Sequence, residues 1–211
     1  MPAERTKSRM TAANRITIGR ILLVPVFILM LVYYFMGLAR GEGVEGYRIG
    51  ALLVFLVAGL SDAVDGYLAR SRNEITSLGK ILDPLADKAL LLSGLILLTR
   101  PSITTLEPHI PVWFTLLVIS RDVVLILGSV LIHALAGHVV VRPRIVGKVA
   151  TFFQMMTIVW VLIGGKAGLF ALWVGAAGFF TLISGILYLL DGLRQLEHHT
   201  APPPPPTPAS P

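Results

Sequence analysis

Four aspartates lie close together in the stretch "DAVDGYLARSRNEITSLGKILDPLAD", residues 62–87. Asp62 and Asp65 are spaced i, i+3, and Asp83 and Asp87 are spaced i, i+4. On a helix, either spacing puts both carboxylates on one face. If the helices carrying the two pairs are antiparallel neighbours joined by a short loop, all four acids meet at one membrane surface. Carboxylates that close cannot all stay ionised without cations between them. An all-oxygen donor set suits a hard divalent ion such as magnesium or manganese rather than zinc. Gly59, Gly66, Ala69 and Gly79 would let a helix or a flat ligand approach the backbone. Arg70 and Lys80 flank the acids, and metals beside fixed cations suit a phosphate or pyrophosphate substrate. The alternative is a set of helix-end salt bridges to Arg70, Arg72, Lys80 and Lys88. Four acids on paired helix faces argue against it, because ionisable groups within spans are costly and usually functional.

The elements that must position these acids are apolar. Of 211 residues, 55% are hydrophobic and 14% charged, and the mean hydropathy is +0.77. Soluble domains carry about 25% charged residues, so the composition points to a membrane protein. Apolar runs span approximately 16–36, 49–69, 79–99, 110–136, 146–164 and 168–191. Each approaches the roughly 20 residues that a helix needs to cross a bilayer. The expected fold is therefore an all-α integral membrane protein with six transmembrane helices. Residues 1–15 form a basic cytoplasmic or interfacial segment, 16–195 the catalytic domain, and 196–211 a disordered Pro-rich tail that cannot bury a core. The first run is longer than a signal core and lacks a small-residue cleavage site, which makes it an uncleaved span.

Lys and Arg set the orientation. With the N-terminus inside, twelve of them lie in inner segments: Arg5, Lys7, Arg9, Arg15, Arg20, Arg70, Arg72, Lys80, Arg142, Arg144, Lys148 and Arg194. The outer loops hold four: Arg40, Arg48, Arg100 and Lys166. This asymmetry places both termini and the aspartates on the cytoplasmic side. The net charge of +6 then reflects contact with anionic lipid headgroups. No aromatic-rich basic patch calls for nucleic acid. With no cysteines, there is no disulfide framework, thiolate metal site or cysteine nucleophile.

The pattern Asp62-x-x-Asp65-Gly66-x-x-Ala69-Arg70, followed by Gly79, Asp83 and Asp87, resembles the signature of the CDP-alcohol phosphatidyltransferase family at every defining position. Six spans with the motif across the second and third also match that family's bundle. The resemblance implies an enzyme in which an acceptor hydroxyl attacks the phosphorus of CDP-diacylglycerol distal to cytidine and CMP leaves. It implies two magnesium ions (or manganese) held by Asp62, Asp65, Asp83 and Asp87, with Asp87 also the base. Gly66, Ala69, Arg70 and Gly79 would accommodate the nucleotide and pyrophosphate, and Asn14, Thr17 and Thr76 match positions that touch the nucleotide-lipid in related phosphatidylinositol-phosphate synthases. Asn14 and Thr17 equally suit a helix cap. The resemblance also implies a bacterial inner-membrane location and a homodimer contact through the last two spans.

Arg121, Arg144 and Lys148 are the candidate acceptor cations, since a phosphate-bearing acceptor needs such charges. For Arg121 a plain ion pair with Asp122 is the competing reading. Glycerol 3-phosphate is the expected acceptor, and phosphatidylglycerol, which would make a cardiolipin synthase, the alternative. The glycerophosphate-type pattern usually has Arg-Glu in the fourth span and a second Arg eight positions on. Here Arg121-Asp122 and Ser129 stand instead, closer to the cardiolipin synthase branch. A divalent-cation transporter would spread acids through the membrane depth, whereas these cluster at one end.

Overall fold

Lipid offers no partner to backbone N–H and C=O groups, so long apolar runs in a membrane must satisfy them internally as helices. The computed structural model describes residues 12–42, 44–72, 79–99, 108–136 and 145–200. They form six helices and, among the described residues, no strand: α1 (Ala12–Ala39), α2 (Glu45–Arg72), α3 (Gly79–Leu98), α4 (Val112–Ala136), α5 (Ile145–Ile163) and α6 (Ala167–Thr200). The six expected spans are thus six helices.

Stretches within α1, α4, α5 and α6 are long and apolar enough to cross a bilayer by composition alone. Helices α2 and α3 carry the charged motif at one end and an apolar segment beyond it. At 28 residues, α2 is about 42 Å long, so the whole helix exceeds the roughly 30 Å core of a bilayer while its apolar segment alone does not.

Two helix ends are built alike. After α1, Glu42 N–H donates to Gly37 O (2.9 Å) and Gly41 N–H to Leu38 O (3.1 Å). After α5, Gly165 N–H donates to Trp160 O and Gly164 N–H to Val161 O, both 3.0 Å. Gly41 and Gly164 have φ of 76° and 74°, the left-handed conformation that this paired-bond ending requires and that favours glycine. These tight stops reverse the chain between α1 and α2 and between α5 and α6.

Helix α1 packs chiefly on α2 and α3, and α6 on α4 and α5. Phe27 and Leu31 of α1, Phe55 of α2, Leu90 and Leu95 of α3, Phe114 of α4, Ile158 of α5 and Val174 of α6 belong to one buried cluster. The outward faces carry exposed Leu22, Leu53, Leu127 and Leu172. In water such a surface would be a liability; in lipid it is the solvent-facing side. The end reached by the α1–α2 and α5–α6 turns holds the stacked Tyr33–Tyr47 and Trp160–Trp173 pairs, as expected of a membrane interface.

Candidate active site

The opposite end of the bundle is ionic. On α1, Thr17, Arg20, Phe27 and Leu31 are buried, at spacings that hold one helix face against its neighbours. The Arg20 side chain has 0% exposure, and its Nη1 donates to Asp87 Oδ1 of α3 at 2.6 Å. An unpaired guanidinium would cost several kcal/mol there, so this pair fixes α1 and α3 in register.

The next residue along α3 reaches another helix. Lys88 Nζ lies 2.6 Å from Asp122 Oδ2 of α4, while Asp122 Oδ1 accepts from Arg121 Nη1 at 2.9 Å. Arg121 Nη2 in turn donates to Ser184 Oγ of α6 at 2.9 Å. Its guanidinium carbon sits 5.7 Å from the ring centre of Tyr188, within cation–π range. Thus Arg121 is both the ion pair with Asp122 and something more.

Glycines give this side chain its room. A Cβ on Gly147 of α5 would lie 3.2 Å from Arg121 Nη2 and 3.4 Å from both Ser184 Oγ and the Tyr188 hydroxyl. One on Gly185 of α6 would lie 3.4 Å from Arg121 Cγ. Arg121 Nε is buried and, among the described residues, has no hydrogen-bond partner.

Beside it lies a cavity of about 430 Å³ lined by Arg121, Gly147, Lys148, Thr151, Phe152, Met155 and Tyr188. Its wall is largely apolar, and Arg121 and Lys148 are the two cations among its lining residues. Met155 of the cavity wall also reaches α2: a Cβ on Gly59 would meet its Cε at 3.8 Å, and Asp62 is three residues further along that helix.

The candidate residues are placed as follows. Asn14 and Thr17 lie on α1; Asp62, Asp65, Gly66, Ala69 and Arg70 on α2; Gly79, Asp83 and Asp87 on α3; Arg121 on α4; and Lys148 on α5. Thr17 is buried, and Arg121 and Lys148 share the cavity. Thr76 and Arg144 lie outside the described residues, as do the side chains of Asn14, Asp62, Asp65, Ala69, Arg70 and Asp83. Among the described residues no three metal-ligating side chains converge. The four aspartates nevertheless occupy two helices that touch, keep their same-face spacings, and supply oxygen donors only. Such a donor set fits hard divalent cations.

Four participants were not legible as such. Arg20 reads as one more inner positive charge, yet it is buried against Asp87. Lys88, Ser184 and Tyr188 sit in ordinary helical sequence, and only the packing of α3 and α6 against α4 brings them to Arg121 and Asp122. The one available signal for Arg20 is its i, i+3 relation to Thr17.

The ionic end and the motif of fixed spacing thus sit together on an apolar helical bundle. A family model described as CDP-alcohol phosphatidyltransferase matches residues 10–189, and the chain belongs to that family. It is 34% identical over 195 residues to the CDP-diacylglycerol–glycerol-3-phosphate 3-phosphatidyltransferase of Bacillus subtilis, covering 87% of this chain and 96% of the relative. The enzyme of the same name from Rickettsia bellii is 36% identical over 184 residues, with 83% and 91% covered. The cardiolipin synthase (CMP-forming) of Streptomyces coelicolor is 32% identical over 207 residues, with 93% and 89% covered.

The glycine contact yields a prediction. Gly147→Ala is expected to press on a guanidinium already tied to Asp122 and Ser184, so it cannot yield freely. If Arg121 holds the acceptor, the KM of the acceptor should rise about threefold to tenfold, because small displacements of a positioning group are felt strongly. The KM of the nucleotide-lipid should hold. Steady-state kinetics varying each substrate checks this, and an unchanged acceptor KM would count against the close packing.

Proposed function

We propose that the protein transfers a phosphatidyl group from CDP-diacylglycerol to the hydroxyl of glycerol 3-phosphate, releasing CMP. The observation that carries this reading is the ionic chain that starts one residue from Asp87 and ends at the cavity: Lys88 of α3 binds Asp122, and Asp122 binds Arg121. The acids and the cavity's cations therefore share one end of the bundle. Two relatives named for glycerol 3-phosphate support the choice of acceptor.

In this scheme Arg121 and Lys148 hold the acceptor's phosphate, with Arg144 from the segment preceding α5. Arg70 holds the pyrophosphate, Gly66, Ala69 and Gly79 leave room for the nucleotide, and Asn14, Thr17 and Thr76 contact the nucleotide-lipid. Asp62, Asp65, Asp83 and Asp87 would hold two magnesium ions, or manganese. When bound, such ions neutralise charge on the pyrophosphate and its leaving oxygen. The acceptor oxygen forms a bond to the distal phosphorus as the bond to the CMP oxygen breaks. Asp87 takes the hydroxyl proton. The acceptor's fixed phosphate holds its hydroxyl in place, so orientation supplies part of the rate.

Asp122 and Ser129, the two departures from the glycerophosphate-type pattern, are both accommodated by contacts within the bundle. Asp122 binds Lys88 and Arg121 together. Ser129 Oγ donates to Leu125 O of its own helix at 2.7 Å. The excess of Lys and Arg at this end supports a cytoplasmic site against anionic lipid. A homodimer would use the last two spans, α5 and α6, the second of which exposes Gly168 and Gly175.

The test is CMP release by purified protein with CDP-diacylglycerol and magnesium, offering glycerol 3-phosphate or phosphatidylglycerol. Release is expected with glycerol 3-phosphate, to vanish with EDTA, and to return with excess magnesium or manganese. Release driven only by phosphatidylglycerol would make the chain a cardiolipin synthase, and release indifferent to EDTA would refute the metal assignment.

A further inference from the structure

The buried pair between α1 and α3 asks for more than a structural account. A buried ion pair is weak evidence for stability when compared with apolar residues of similar volume, which directs attention to what this pair holds in place. Arg20 is wholly buried, while the Asp87 side chain is 35% exposed. The guanidinium therefore meets the carboxylate from the protein interior and leaves part of it exposed. Arg20 cannot leave for water without unpacking the face of α1 that also buries Thr17 and Phe27.

We propose that Arg20 is a positioning residue for the catalytic aspartates: it fixes the Asp87 carboxylate in one orientation so that this residue is presented to a divalent cation ready-set. The proposal rests on the reading that the four aspartates bind metal. Partners that orient a ligating group from behind typically change metal affinity or activity by about 10–100-fold when altered. Arg20 has two opposed effects on the metal. As a cation it repels the ion; as a rigid donor it removes the freedom that Asp87 would otherwise lose on binding.

A conservative variant separates the two. Arg20→Lys keeps the charge and the aliphatic stem but replaces a planar fork with a single mobile ammonium. The electrostatic repulsion then nearly cancels between variant and parent, and geometry remains. Mn²⁺ binding to the full-length protein in detergent is read by the loss of the free-ion EPR signal, with no substrate present. Arg20→Lys is expected to weaken Mn²⁺ binding about tenfold, lower kcat, and leave the KM of glycerol 3-phosphate unchanged. A purely structural role would lower the melting temperature and the yield without altering Mn²⁺ affinity in the folded fraction. Arg20→Gln provides the second variant should the lysine protein not fold. Weaker binding there supports the proposal; unchanged or tighter binding, the mark of simple charge repulsion, overturns it.

Asp62→Asn and Asp83→Asn separate this proposal from the reading beneath it. If they leave Mn²⁺ binding intact, the metal assignment itself fails. If they abolish binding while both Arg20 variants bind like the parent, only the role of Arg20 fails.

Discussion

Asp87→Asn is expected to lower CMP release by about 10²–10⁴-fold while CDP-diacylglycerol still binds. The amide keeps the shape of the side chain and one acceptor oxygen for Arg20. It loses the charge, cannot take up a proton at neutral pH, and is a poorer ligand for a hard cation. Stability should also fall, because Arg20 Nη1 sits 2.6 Å from the carboxylate. Breaking a fully buried pair costs about 3–5 kcal/mol. Partial exposure of Asp87 and the surviving amide oxygen reduce this to about 1–2 kcal/mol. The two losses are separable. Trp113, Trp160 and Trp173 lie toward the other end of the bundle, so their fluorescence reports unfolding without reporting the site. A folded variant that binds the nucleotide-lipid and does not turn over supports the base assignment. A variant that turns over at near the parental rate removes Asp87 from catalysis.

How far the sequence reaches can be judged from particular helices. The fifth apolar run, 146–164, becomes α5 at Ile145–Ile163 almost residue for residue, because Gly164 ends it in a left-handed turn. The sixth run ends near 191, yet α6 continues to Thr200. Hydropathy marks where lipid ends, whereas a helix continues until something stops it, and the prolines begin only at Pro202. The spacing of the aspartates was legible because it lies along single helices. Contacts between helices were not. Nothing in the sequence says that Lys88 faces α4, since that depends on how α3 is rotated against its neighbours. Arg20 was hidden for the same reason, and the glycines around Arg121 look like any small residue in a span. The pair Arg121–Asp122 was visible as adjacent letters, but its second partners, Lys88 and Ser184, come from other helices.

Those second partners make Arg121 the position where acceptor recognition should be most sensitive. Arg121→Ala is expected to raise the KM of glycerol 3-phosphate by about 10–100-fold, because a hydrogen bond to a charged group contributes about 1.5–3 kcal/mol. The KM of CDP-diacylglycerol should change little. Arg121→Lys should recover only part of the loss. A lysine has no fork with which to hold Asp122 and Ser184 while meeting a phosphate. Truncation also empties the space between Gly147 and Gly185, so some stability will be lost with it. The assignment is therefore best tested by coupling rather than by one variant. If Arg121 and Lys148 hold one phosphate, the cost of Arg121→Ala together with Lys148→Ala should differ from the sum of the single costs by more than about 0.5 kcal/mol. Kinetics of the four proteins across a glycerol 3-phosphate titration gives that number. Additive losses, or a fall in kcat at constant acceptor KM, would mean that Arg121 only braces α4 against α6 and that the acceptor phosphate is held elsewhere.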